Sequence, residues 1–278
     1  MAGRGLELKT PDQLRLMRQA GLVVADALAA MALAVRPGVR TRQLDALARE
    51  VLSRHRAASS FLGYSPSPGT PPYPAVVCTS VDEVVVHGIP GDRVIAEGDL
   101  VSIDFGARLE GFHGDAAVTV EAGAVAPQAA RLNAVTREAL WAGIGAARLG
   151  GTVGDISSAI QRHIRRQGRY GIVRDFTGHG IGTAMHLPPD VPNVGRPRRG
   201  PTLTEGLCLA IEPMVTLGGH QTALADDEWT VVTVDGSWAA HWEHTIAVTP
   251  HGLWVLTALD GGEEELTRRG LPFGPLAD

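Results

Sequence analysis

The sequence predicts an α+β fold of two related halves, each made of two helices followed by strands. Three observations carry this expectation. The chain has 278 residues, 44% hydrophobic and 20% charged, and a chain of this size buries about three-quarters of its unfolded surface. Helix-patterned pairs open both halves: a shift of 112 places Leu44, Leu47, Ala48 and Leu52 on Ile156, Ala159, Ile160 and Ile164, and Gly38 on Gly150. The run Leu100-Val101-Ser102-Ile103-Asp104 also has a counterpart in Cys208-Leu209-Ala210-Ile211-Glu212, each an apolar stretch ending in a carboxylate. Such internal similarity is the mark of a duplicated unit.

The elements follow in order. Thr10 and Pro11 are a plausible N-cap and first helical position, and Leu14, Met17, Val24, Leu28, Met31 and Val35 keep helical spacing, so a long amphipathic helix is expected from Pro11 to Val35. Pro37 and Gly38 end it. Thr41 is expected to cap a second helix, with Leu44, Leu47, Ala48, Val51 and Leu52 on one face. The Pro/Gly/Ser segment 63–74 reads as a surface loop. Strand-like runs follow at 75–79, 83–87, 100–105 and 116–121. In the second half, Pro127 to Leu149 and Thr152 to Gln167 read as helices separated by Gly150-Gly151. The expected organisation is one catalytic domain, 11–259, with halves 11–122 and 127–259. The tails 1–10 and 260–278 flank it, the second read as a loosely held terminus.

Composition excludes several classes. The formal net charge is −5 and Lys9 is the one lysine, which argues against a basic nucleic-acid binder, a P-loop and Schiff-base chemistry. Cys78 and Cys208 form no CxxC, which argues against a disulfide scaffold or a cysteine-rich zinc module and fits a reducing cytoplasm. The N-terminus lacks the apolar core of a signal peptide, and the longest apolar stretch, Leu22 to Val35, is 14 residues and contains Asp26. Neither a membrane span nor export is expected.

Four carboxylates adjoin apolar strand-like runs. Asp104 and Asp115 flank a turn whose midpoint, placed between Leu109 and Glu110, sets them opposite one another. Reflection about Gly236 in Asp235-Gly236-Ser237 pairs Trp229 with Glu243, which heads the run His244 to Val248. Glu212 closes Leu209-Ala210-Ile211. A single acid ending a strand is commonly a turn former, but four buried ones must be paired or coordinate metal. With one imidazole they suit two divalent ions such as manganese, iron, cobalt or zinc. Three histidines stand out. His179 lies among glycines in Thr177-Gly178-His179-Gly180-Ile181-Gly182, His186 precedes Leu187-Pro188-Pro189, and His87 sits in Val85-Val86-His87-Gly88-Ile89-Pro90.

Together these strings resemble a type I methionine aminopeptidase of peptidase family M24, over nearly the whole chain from Thr10 to about Leu259. The resemblance implies a pita-bread fold, a curved antiparallel sheet covered by helices in two pseudo-symmetric halves. It implies five metal ligands: Asp104 of SIDFG, Asp115 of GFHGD, His179 of TGHGIG, Glu212 of AIEPM and Glu243 of WEHTI. Glu212 would also serve as general base. His87 and His186 would hold the substrate peptide group and stabilise the tetrahedral intermediate. Cys78, Tyr73, Trp229 and Met185 would line the methionine pocket.

The resemblance further implies two divalent ions (cobalt, manganese, iron or zinc) activating a water. The substrates would be N-termini of nascent polypeptides with a small second residue, with the ribosome as a place of encounter, cleaved by a cytoplasmic monomer with no nucleic-acid or membrane binding of its own. Phe105-Gly106, Ala116-Ala117 and Leu187 depart from the usual type I residues, and Asp-x-Gly is closer to the aminopeptidase P and prolidase branch. An X-Pro aminopeptidase or prolidase is therefore the same-fold alternative, and a non-catalytic pita-bread binding protein the rival from another class.

Overall fold

The computed structural model describes residues 5–276 and has the α+β architecture expected. The first half runs α1 (Pro11–Ala34), α2 (Thr41–His55), β1 (Ala58–Ser59), β2 (Cys78–Val81), β3 (Val84–Val86), β4 (Leu100–Leu109) and β5 (Phe112–Glu121). The second runs α3 (Pro127–Ala146), α4 (Val153–Gln167), β6 (Gly171–Ile172), β7 (Gly178–Gly180), β8 (Leu187–Val191), β9 (Cys208–Ile211) and β10 (Met214–Thr216). It continues through β11 (Thr222–Leu224), β12 (Val231–Thr233), β13 (Ala239–His241), β14 (Glu243–Thr249), β15 (Gly252–Val255) and α5 (Glu263–Arg268).

Helix α1 starts where its capping residues dictate. The Gln13 amide donates to Thr10 Oγ1 and the Thr10 amide to Gln13 Oε1, a reciprocal capping box that satisfies two otherwise orphaned donors. By length and composition α1 could cross a bilayer, yet Met17, Val24, Leu28 and Met31 are buried against the sheet. Its apolar stripe is spent on the core. Thr41 is the first residue of α2, not its cap. Arg40 holds the capping position, because the Thr41 hydroxyl is engaged with Gly91, accepting from its amide at 2.8 Å.

The main sheet is antiparallel in the order β1-β4-β5-β14-β9-β7-β8, with β2 on β4 and β15 on β14. Strand alternation divides its two faces. Val101, Ile103 and Phe105 pack with Leu44, Ala48 and Leu52 of α2, and Leu209 and Ile211 pack with Ile156, Ile160 and Ile164 of α4. The 112-residue correspondence is thus two helix pairs covering two halves of one sheet. The opposite face is left to the alternate residues, Asp104 and Glu212 among them.

Two expected pairings differ. The β4–β5 turn is centred on Glu110-Gly111, with φ of 49° and 85°, and Asp104 faces Ala117 while Asp115 faces Gly106. Both central residues of such a turn need positive φ, which Leu109 resists and Gly111 supplies. Because the slip is two residues, both aspartates stay on one face. Trp229 and Glu243 are not paired: β12 joins β3 and β11, whereas β13 after the Gly236 turn joins β10.

The segment 260–276 is also not loosely held. It forms α5, buries Leu266, and places Arg269 on Glu138 at 2.7 Å and Arg137 on Glu265 at 2.5 Å. The apolar Leu266 and the opposed charges on α3 give it a docking surface that three successive glutamates concealed.

Candidate active site

Each of five neighbouring strands delivers one candidate ligand to the uncovered face. Asp104 is on β4, Asp115 on β5, Glu243 heads β14, Glu212 follows β9, and His179 is the middle residue of β7. Ala117 has Asp104 opposite it on one side and Glu243 on the other. Ala210 likewise faces His179, two residues from Glu212. The small alanines leave room for the acids around them. One oxygen of Asp115, one of Glu243 and a ring nitrogen of His179 lie within 4.8 Å of one another, all three residues buried. His179 Nε2 is 3.6 Å from Glu212, whose other oxygen is 3.6 Å from His241 Nε2.

Local backbone chemistry fixes these side chains. The Thr245 hydroxyl donates to the Asp115 carbonyl at 2.7 Å and accepts from its amide at 3.1 Å, tying β5 to β14. His179 Nδ1 donates to the Gly180 carbonyl at 3.0 Å, which leaves Nε2 with its lone pair directed at a ligand. Glycine is required beside it, since a Cβ at Gly178 would lie 2.3 Å from the Ala210 carbonyl oxygen. His87 adopts φ of 59°, a left-handed conformation in which histidine is enriched among non-glycine residues.

The electrostatics call for a cation. Burial pushes the Asp104 carboxyl up to about 7 and Glu212 to about 8. Asp115 and Glu243 rise well above the usual range, through burial first and then repulsion by the other acids. Burial lowers His179 to about 3 and His87 to about 4, keeping both neutral. Asp104 Oδ1, Asp115 Oδ1, Glu243 Oε1 and His241 Nε2 are buried without a hydrogen-bond partner. Orphaned oxygens on mutually repelling acids beside a neutral imidazole fit divalent cations, which reverse each of these shifts.

One open-sided cavity is lined by all eleven residues singled out from the sequence. Its apolar end is formed by Tyr73, Cys78, Met185 and Trp229, which pack as one buried cluster with Phe61. Tyr73 meets Trp229 edge to face at 5.1 Å, and the Trp229 indole N–H donates to the Pro71 carbonyl at 2.9 Å. Cys78 lies directly opposite Asp104 in the β2–β4 ladder, and burial raises its thiol pKa. His87 is braced by Phe176 and Trp229, and the His186 ring is 4.3 Å from that of His179.

Sequence reasoning missed Phe61, Tyr64 and His241. Two aromatics bracketing Leu62-Gly63 at the head of a Pro/Gly loop were the available signal for the first two. His241 stands two residues before Glu243, a spacing that shares a face only if the backbone stays extended.

Residues 15–250 match the model of metallopeptidase family M24. The chain is 49% identical to methionine aminopeptidase 1 of Mycobacterium tuberculosis over 255 residues, 90% of this chain and 94% of that protein. It is similar to the crystal structure of methionine aminopeptidase from Thermotoga maritima, with a TM-score of 0.87 and 40% identity, covering 91% of this chain and 99% of that one. Prolidase from Pyrococcus furiosus has a TM-score of 0.70 at 21% identity, over 90% of this chain and 65% of that one, a likeness of fold alone. The fold is therefore the pita-bread fold, the centre is one for divalent metal, and the chain belongs to metallopeptidase family M24, within it to the type I methionine aminopeptidases.

Proposed function

We propose that this protein is a metal-dependent methionyl aminopeptidase that removes the initiator methionine from new proteins whose second residue is small. The observation that carries the reading is the junction of five ligand-type side chains from five neighbouring strands with an apolar, aromatic-walled pocket. Asp104, Asp115, His179, Glu212 and Glu243 would hold two divalent ions. Bound there, the ions would supply an acidified water, a site for the peptide's amino group and charge for the developing oxyanion. An X-Pro specificity is disfavoured by the low identity to prolidase, and a purely binding role by the complete ligand set.

The chain's own residues divide the remaining work. Glu212 takes a proton from the attacking water and delivers it to the departing amine, a role suited to a mostly buried carboxylate that lies 3.6 Å from His179 among the candidate ligands. His87 is neutral at pH 7 and so acts as a hydrogen-bond donor holding the peptide group. His186, at the mouth, stabilises the tetrahedral intermediate. Tyr73, Trp229, Cys78 and Met185 receive the methionine side chain, each sulfur–aromatic contact contributing about 0.3–1.5 kcal/mol. The proposed setting is the cytoplasm and the proposed form a monomer.

The test compares a Met-Xaa-Ser series. The metal-loaded protein is expected to release methionine when Xaa is Gly, Ala or Ser and at least tenfold more slowly when Xaa is Leu or Lys. Equal rates across the series would reject the small-second-residue specificity, and release from Leu-initiated peptides at the same rate would reject the pocket.

A further inference from the structure

The first described residues form a strap that crosses to the turn between β7 and β8. The Lys9 amide donates to the Gly206 carbonyl at 2.8 Å, and Leu8 bridges Leu207, which holds the strap against the second half. Lys9 is the chain's one lysine, and its side chain is 1% exposed. Its ammonium donates to the Glu7 carbonyl at 3.0 Å and lies 3.3 Å from Glu7 Oε1. Glu7 in turn reaches Thr183. One carboxylate oxygen accepts from the Thr183 amide at 3.0 Å, and the other accepts from the Thr183 hydroxyl. A carboxylate that takes both donors of one residue fixes its position and its orientation. The ammonium behind it is committed to the same end, because a buried charge stripped of its partner is costly.

The turn held in this way carries two residues of the proposed active site. It spans residues 181–186, just past the strand that bears His179, and includes His186 and Met185, a wall of the apolar pocket. Thr183 and Ala184 at its tip are exposed. Its inner side is fixed by the His113 amide, which donates to the Gly182 carbonyl at 2.9 Å. Gly182 permits the close approach of strap and turn: a Cβ there would lie 2.0 Å from Glu7 Oε1 and 2.4 Å from Lys9 Cε.

We propose that Glu7 is a positioning residue for the choice of first residue: by clamping Thr183 it sets where Met185 stands in the methionine pocket. The proposal rests on the aminopeptidase reading of this same site. His186 has a second brace, the Tyr64 hydroxyl 2.7 Å from its Nδ1, whereas the Met185 side chain has apolar packing alone. Release of the tip therefore moves the pocket wall more than the histidine. Contacts with the methionine side chain are made alike in substrate and transition state, so their loss raises KM and leaves kcat. A displaced wall also blunts discrimination between methionine and leucine, which differ in shape more than in polarity.

The experiment measures kcat and KM of the metal-loaded protein for Met-Ala-Ser and Leu-Ala-Ser, with hydrogen exchange of segment 181–187 followed in parallel. Glu7→Ala is expected to raise KM for Met-Ala-Ser about fivefold while kcat changes less than about twofold. It should also lower the Met-to-Leu ratio of kcat/KM about fivefold and speed exchange at the tip about tenfold. Thr183→Ala leaves the Glu7–Lys9 pair in place and should shift the same quantities in the same direction, which guards against a misfolded Glu7→Ala. Glu7→Gln keeps an acceptor for the Thr183 amide and should recover most of the wild-type KM. The double variant should be no worse than Glu7→Ala alone, since both substitutions open one clamp. Unchanged KM and Met-to-Leu ratio in both single variants, a fall in kcat with KM kept, or faster exchange without a change in selectivity would each overturn the proposal while leaving the aminopeptidase reading intact. A wild type that releases no methionine would refute that reading, and the clamp's role with it.

Discussion

The Tyr64 hydroxyl lies 2.7 Å from Nδ1 of His186. With the hydroxyl donating, the ring proton resides on Nε2, the nitrogen left to donate to a substrate carbonyl. Tyr64→Phe removes one hydrogen bond, worth about 0.5–1.5 kcal/mol, and is expected to lower kcat about 2–10-fold with little change in KM. The loss should vanish in a His186→Ala background. Additive effects of the two substitutions would show that Tyr64 acts elsewhere.

The metal-free site should make stability fall as pH rises. Asp104 at about 7 and Glu212 at about 8 lie above the ordinary carboxyl range, so the contribution of their neutral forms is complete below about pH 4 and is lost as pH rises through 7 to 8. In EDTA the melting temperature is expected to be lower at pH 8.5 than at pH 6, and the gain on adding manganese larger at pH 8.5. Thermal melts at the two pH values check this; no dependence on pH in EDTA would mean that the acids are not held neutral.

Gly178→Ala should act through geometry. The added Cβ would sit 2.3 Å from the Ala210 carbonyl, forcing β7 away from β9 and displacing His179. Overpacking of this kind costs about 1–3 kcal/mol, and divalent-metal affinity measured by calorimetry should fall at least tenfold. Wild-type affinity in a destabilised protein would separate the strand from the ligand role of His179.

Leu266→Ala tests the docked C-terminal helix. Removing a fully buried leucine costs about 2–5 kcal/mol, a fall in melting temperature of about 4–20 °C at this chain size. Differential scanning calorimetry reads it, and a fall of less than 2 °C would return the segment to the loosely held terminus that its composition suggests.

Much of this was legible in the sequence because periodicity reports burial directly. Leu44, Ala48 and Leu52 and their counterparts Ile156, Ile160 and Ile164 face the sheet because helical spacing leaves them no other side. Asp104 and Glu212 were legible because an apolar run ending in a carboxylate places the acid beside the core, and the pocket residues and histidine roles came through the family resemblance; all eleven candidates line one cavity. Register was not legible, since Glu110-Gly111 lacks the Asn-Gly or Asp-Gly signal that fixes a two-residue turn. Nor was the contact between Tyr64 and His186, 122 residues apart. Partner choice among short strands also hides from local pattern, which is why the Gly236 turn was misread as a hairpin joining Trp229 to Glu243.

The central claim is metal-dependent release of N-terminal methionine. The direct measurement follows release of the first residue from Met-Ala-Ser and from Ala-Pro-Ala by metal-stripped protein, before and after manganese, cobalt, iron or zinc is added. Methionine release that appears only with metal, with Ala-Pro-Ala left intact, is the predicted result. Cleavage of Ala-Pro-Ala in preference, or no cleavage of either peptide by protein that has bound metal, would contradict it.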